Sequence, residues 1–200
     1  MTNVRSYTDK ELIDRMKCLP SFLYVPKGLH LIVVRSNEND PDKYDDKLYT
    51  FIGEKGIDVM SCTSNTGLYG LKNFKKFNPK GAAIIKFDEI YYNSFMKSDG
   101  DKVRHHNGKM KCLRQIAPLK YYRDGDGDGV AEEEGIVYEG NYSTNVHANS
   151  YTHKKGIISW LIGRWSVGCT VVNDLTNYWD ALIAKAVYNE PITYTGLKEW

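Results

Sequence analysis

The stretch "LHLIVVRSNENDPDKYDDKLYTFIG", Leu29–Gly53, decides the fold. Its first eight residues, 29–36, are a short apolar run rich in Val and Ile, the composition of a strand. A polar turn follows, with Asp and Pro from Asp40 to Asp46. A second strand is expected around 47–53, so the two form a hairpin.

The pattern continues outward from this hairpin. "IDVMSCTSNTG" (57–67) reads as a third strand running into a glycine loop. "GAAIIKFDEIYYNSF" (81–95) reads as another strand followed by a short mixed segment. "KMKCLRQIAPLKYYRD" (109–124) gives one or two strands broken at Pro118. "GIVYEGNYSTNVHANS" and "GCTVVND" are both strand-like.

Two segments have helical signals. In 8–19, Thr8 and Glu11 have capping-box spacing and Pro20 stops the helix. In 174–189, Asp174 can cap, and Leu175, Tyr178, Trp179, Leu182, Ile183 and Ala186 mark one face. The expectation is a single domain over 1–200, mainly β (α+β), with a helix near each terminus.

Composition narrows the function. The net charge of +2 implies no nucleic-acid partner. No run approaches the ~18–20 apolar residues that span a bilayer. The first residues lack the apolar core of a secretory signal, so synthesis in the cytoplasm without a signal peptide is expected. Cys18, Cys62, Cys112 and Cys169 form no CxxC pair, which argues against a zinc site or a disulfide framework in a reducing compartment. Tyrosine is abundant, fifteen against six Phe, which suits both β structure and the binding of polar ligands.

Cys169 and His147 are the leading chemical pair. A thiol near its ordinary pKa of ~8.5 is only a few per cent thiolate at neutral pH, so a nucleophilic cysteine needs a base. A histidine on a neighbouring strand supplies one. Gly168 lets a carbonyl approach closely and leaves backbone N–H groups at 168–169 to face an oxyanion. A buried, inert cysteine beside an unrelated histidine is the competing reading.

The segment "HANSYTHKKGIISWLIGRWSVGC", His147–Cys169, resembles the active-site signature of the L,D-transpeptidase (YkuD-like) family. That signature is an early histidine, a loop, and Ser/Thr-x-Gly-Cys, here Ser166, Gly168 and Cys169. Upstream pieces resemble the phage-associated branch: the strand at 81–95, an "HxGK" turn (His106 to Lys109), a strand carrying Gln in "CLRQ", and "YYRDGDGDG". The resemblance covers roughly 80–173. It implies a YkuD-like β-sandwich or barrel-like fold, Cys169, His147, Gly168 and Ser166 at the catalytic centre, and peptidoglycan stem peptides as partners. His106 would lie near the groove.

Several positions depart from the family. Val167 stands where members carry a second histidine, Thr170 and Val171 where they carry Arg or Asn, and Ala148 where a Gly follows the first histidine. Nucleophile and base are kept while donor-positioning residues are not. The resemblance therefore implies a Cys–His acyl-enzyme resolved by water, as in a phage endolysin acting at the cell wall. The alternatives are an L,D-transpeptidase proper and a non-catalytic wall-binding or virion module. A backbone carbonyl, Asn145 or Asn149 would orient the base. Arg164 and Trp165 precede the motif and can line the pocket, Arg164 suiting a substrate carboxylate. Tyr142, Trp160 and Tyr92 are further candidates for substrate contact.

"DGDGDGVAEEEG" (124–135) matches the first half of a calcium loop at Asp124, Asp126, Asp128 and Gly129. The place of the EF-hand glutamate is taken by Gly135. A lone structural calcium loop and a solvated acidic turn both fit. No cofactor is required by the proposed chemistry. The adjacent His105 and His106 would point to opposite faces of a strand, and "NG" after them favours a hairpin turn.

Overall fold

The hairpin at Leu29–Gly53 forms. The computed structural model describes residues 4–38, 40–99, 110–150 and 161–200. Helix α1 (Asp9–Lys17) carries the expected capping box between Thr8 and Glu11. Strands β1 (Leu29–Arg35), β2 (Asp46–Ile52) and β3 (Lys55–Thr63) form an antiparallel meander. Then come α2 (Leu68–Lys72), a 3-10 turn (Phe74–Lys76), β4 (Ala82–Ile85) and β5 (Glu89–Ser98). They are followed by β6 (Cys112–Gln115), β7 (Leu119–Asp124), β8 (Tyr138–Gly140), β9 (Val146–Ala148) and β10 (Thr170–Val172). Helix α3 (Leu175–Asn177) runs on into a π-helical stretch (Tyr178–Ile183), and β11 (Ile192–Lys198) ends the chain.

Eight strands close into a barrel in the order β1-β11-β5-β6-β9-β10-β3-β2, and β4, β7 and β8 make a separate three-stranded sheet. The protein is mainly β, with a helix near each terminus. Among the described residues, no helix is long and apolar enough to cross a membrane.

The burial of β1 explains its unbroken apolar run. Leu31 and Val33 face the main core, while Ile32 and Val34 on the other face pack in a second cluster with Leu12, Ile13 and Met16 of α1. A strand covered on both sides reads as a continuous hydrophobic segment rather than an alternating one. The barrel interior is filled by Leu48, Met60, Phe95, Leu113, Val172 and Tyr194, with Tyr178 and Leu182 of the C-terminal helical segment in the same cluster.

Two expectations are corrected. The segment 81–95 is two strands in different sheets, with Asp88 at φ 55° in the break between them. The segment 109–124 breaks at Pro118 as expected, β6 entering the barrel and β7 the small sheet. The last helix is helical only through 185, and Asn189 turns the chain at φ 65°. The strand that follows it, β11, pairs parallel with β1 and antiparallel with β5. The expected turn at His105–Lys109 lies outside the described residues.

Inside the barrel the Tyr194 hydroxyl meets Thr170 Oγ1 at 3.0 Å, linking β11 to β10. Removing one partner of a buried hydrogen bond costs about 1–3 kcal/mol, while removing both is close to neutral. Tyr194→Phe is therefore expected to lower urea-measured stability by about 1–3 kcal/mol, with Thr170→Val recovering most of the loss in the double variant. Simple additivity of the two losses would show that the pair is not coupled.

Candidate functional site

His147 lies on β9 and Cys169 immediately before β10, the strand that pairs parallel with it. Val146 lies opposite Thr170, His147 opposite Val171, and Ala148 opposite Val172. Val146, Ala148 and Val172 face the barrel core. Alternation along the strands then sends His147 and Val171 to the outer face. Cys169, just before β10, packs beside Val171, Tyr44, Ile162 and Trp165. Both His147 and Cys169 line one cavity of ≈ 700 Å³. It lies between this barrel wall and the elements around the small sheet, with Tyr69, Phe74, Ala83, Arg123 and Tyr142 also on its wall.

Ser166 sets the shape of the loop that carries the thiol. Its hydroxyl is fully buried, 2.6 Å from Asn65 O and 2.9 Å from Cys169 O. It also accepts the Gly168 N–H at 3.3 Å. Gly168 sits at φ +114°, and a Cβ there would come within 3.1 Å of Ala83 Cβ and Ala83 O. A side chain is thus excluded by both backbone conformation and space. The Thr66 hydroxyl donates to Ala83 O at 2.7 Å, fastening the small sheet to the same corner. Of the two N–H groups expected to face an oxyanion, at 168 and 169, that of Gly168 is turned inward to the Ser166 hydroxyl.

The opposite wall depends on Gln115, buried at the end of β6. Its Oε1 accepts from Tyr142 N at 3.2 Å, Thr144 N at 3.0 Å and the Tyr121 hydroxyl at 3.2 Å. Its Nε2 donates to Ala117 O and Gly140 O, at 2.8 and 3.0 Å. One side chain thereby shapes the segment 140–144 that forms part of the cavity wall. The sequence marked this glutamine only through a resemblance.

Electrostatics distinguish the pair from a preformed ion pair. His147 is fully buried, and its Nδ1 lies 2.8 Å from Ala148 O. A carbonyl only accepts, so Nδ1 carries the proton and Nε2 is the basic nitrogen. The orienting group is therefore a backbone carbonyl. Asn145 and Asn149 serve elsewhere. Asn145 Oδ1 accepts from Gln115 N, and Asn149 Nδ2 donates to Asn173 Oδ1. Burial pushes the Cys169 thiol up to about 11, against the opposing pull of the Asn145 N–H, which donates to Sγ at 3.4 Å. Burial therefore favours the neutral thiol form of Cys169 at neutral pH.

The other expected site residues divide. Arg164, Trp165 and Tyr142 all line the cavity. The Trp165 ring centroid lies 6.4 Å from that of His147. Tyr92 does not reach it: its hydroxyl binds Leu23 N, Tyr24 N and Tyr24 O near the N-terminal segment. His106 and Trp160 lie outside the described residues. Lys76 and Arg123 line the cavity without having been singled out in the sequence. Nothing local marks them, because their placement depends on sheet pairing.

In the acidic loop, carboxylate oxygens of Asp126, Asp128 and Glu132 lie within 4.8 Å of one another, all exposed. Asp124 does not join that group. It is buried and accepts the Glu132 N–H at 3.3 Å. Asp126 and Asp128 also accept from backbone N–H groups two residues on, Asp128 N at 3.0 Å and Val130 N at 2.7 Å, as in an acidic turn.

Fold and site together define a mainly-β, barrel-based α+β protein with a thiol–imidazole pair in an outer cavity. Compared with known proteins, the chain matches no family model, no curated protein and no solved structure.

Two measurements test the electrostatics. Alkylation of Cys169 by iodoacetamide is expected to keep accelerating up to pH 10, because the thiol titrates near 11. A plateau below pH 8 would mean that an imidazolium, not burial, sets the thiol. Asp124 is raised to about 6, first by burial and then by Asp126, Glu132 and Asp128, against the Glu132 N–H. Its ordinary value is ~3.9. Folded protein therefore keeps a proton that the unfolded chain loses. The stability this contributes is complete below pH ~4 and is lost as pH rises through about 6. Asp124→Asn, melted in EDTA, should gain about 2–4 °C at pH 7 and almost nothing at pH 4. An equal shift at both pH values would sink the assignment.

Proposed function

We propose that this protein is a cysteine-dependent acyl-transfer enzyme acting on the stem peptides of peptidoglycan, and that it hydrolyses rather than cross-links them. One observation carries the chemistry: His147 on β9 and Cys169 just before the adjacent β10 wall the same cavity. The substrate assignment rests on the resemblance of His147, Ser166, Gly168 and Cys169 to the L,D-transpeptidase signature.

In the proposed reaction, His147 Nε2 takes the thiol proton as Cys169 Sγ bonds to the carbonyl carbon. The Asn145 N–H, already aimed at Sγ from 3.4 Å, lies within reach of the developing oxyanion. The C–N bond then breaks, the imidazolium returns its proton to the leaving amine, and a thioester remains. His147 next removes a proton from water, whose oxygen attacks the thioester carbonyl. The C–S bond breaks and the thiol is restored. General-base removal of the proton in the step itself suits a thiol that is neutral at rest.

A second reading is a non-catalytic wall-binding module of the same fold. The raised thiol favours it, since burial alone keeps a structural cysteine inert. Digestion of purified peptidoglycan separates the two. Wild type should release muropeptides whose cleaved ends carry one added water. Cys169→Ala and His147→Ala should each slow release by at least about 10³-fold. Identical muropeptide profiles for wild type and Cys169→Ala would remove the catalytic reading. New cross-links instead of hydrolysed ends would indicate a transpeptidase.

A further inference from the structure

The cavity has a charge that its protein does not. The whole chain is nearly balanced at +2. Yet Lys76, Arg123 and Arg164 all line this one space, and among the described residues no aspartate or glutamate does. Lys76 and Arg164 are exposed and Arg123 is partly buried, so the cavity turns a cationic wall toward solvent. A wall of one sign favours a negative ligand over a neutral one.

Each arginine is braced by a tyrosine of the same wall. The Arg123 guanidinium lies over the Tyr142 ring at 4.4 Å and donates from Nη1 to Gly81 O at 3.4 Å. The Arg164 guanidinium lies over the Tyr69 ring, also at 4.4 Å. Among the described residues, the arginines with carboxylate partners are Arg5, Arg15 and Arg35. Arg123 and Arg164 have none there. A ring against the flat face of a guanidinium leaves its edge N–H groups available, and these match a carboxylate bidentately. The brace also reduces the side-chain freedom lost on binding. Tyr142 is itself positioned through the bond from its N–H to Gln115 Oε1.

We infer that the cavity is built for an acidic ligand, with Arg123 and Arg164 as specificity-determining residues that take the carboxylates of an acidic peptide. That this peptide is the acyl donor, with its reacting carbonyl at Cys169, rests on the proposed function. The anion site itself does not. Arg123 belongs to β7 and Arg164 to the cysteine loop, so the two charges approach the thiol from different elements. Acidic groups flanking the bond to be cut are the feature such a site reads. Neutral peptides of the same size leave both guanidinium groups unpaired and bind more weakly.

The test separates anion recognition from thiol chemistry by using the full chain carrying Cys169→Ala. Glutarate and its neutral diamide, glutaramide, are titrated while NMR follows the Trp165 indole N–H, assigned with Trp165→Phe. Glutarate is expected to shift this resonance saturably and to bind at least about tenfold more tightly than glutaramide. Arg123→Gln and Arg164→Gln should each weaken glutarate about fivefold or more and leave glutaramide unchanged. Arg123→Lys, which keeps the charge but not the fork, should fall between. Amide spectra of each variant confirm folding. Equal affinity for the two probes, or glutarate binding unaffected by both arginine substitutions, overturns the inference. Either result leaves the role of Cys169 to the peptidoglycan digestion, so the two proposals fail separately.

Discussion

The insertion of β11 between β1 and β5 is the constraint on which the rest of the structure depends. The last strand of the chain lies parallel to the first and antiparallel to the fifth, and so closes the barrel. A closed sheet leaves no unpaired edge, and every strand gains an inside and an outside. Tyr194 of β11 then fills the interior, in ring contact with Phe87, Tyr91 and Phe95, and reaches Thr170 of β10 through its hydroxyl. That link connects closure to the strand that follows Cys169.

The site follows from the same inside–outside rule. With Val146, Ala148 and Val172 committed to the core, His147 and Val171 opposite it face outward. The barrel wall alone supplies one side of a cavity. The small sheet supplies another, held at the corner where Thr66 binds Ala83 O and where Gly168 admits no side chain. Two buried polar side chains complete the geometry. Ser166 ties the cysteine loop to Asn65, and Gln115 ties the opposite segment to its own strand. Their hydrogen bonds are satisfied inside the protein, where breaking them is costly, so they hold the walls firmly.

Much of the fold was legible in local chemistry. The capping box at Thr8 and Glu11, the apolar run at Leu29–Val34 and the polar turn after it act within a few residues, and each formed as expected. The misreadings share a physical cause. The segment 81–95 looks continuous because both of its halves are strands; which sheet each half joins depends on partners far away in the chain. β11 was missed although "ITYTG" has β-branched and aromatic residues, because it follows a segment read as helix through 189. Of the site, Cys169, His147, Ser166 and Gly168 were visible as a spaced motif. Lys76 and Arg123 were not, since a basic residue on a strand has no signature until its facing wall is known.

The sequence by itself determined the class of fold, the positions of most strands, and which thiol and imidazole to look for in one site. These depend on residue type and short spacing. Only the tertiary structure decided that Ser166 and Gly168 shape the loop instead of facing substrate, that Ala148 O selects the tautomer of His147, and that burial raises the thiol. It also decided that cations from three separate elements share one cavity. Hydrogen-bond direction, desolvation and charge proximity are properties of packed surfaces, and packing is settled by pairings between residues distant in the chain.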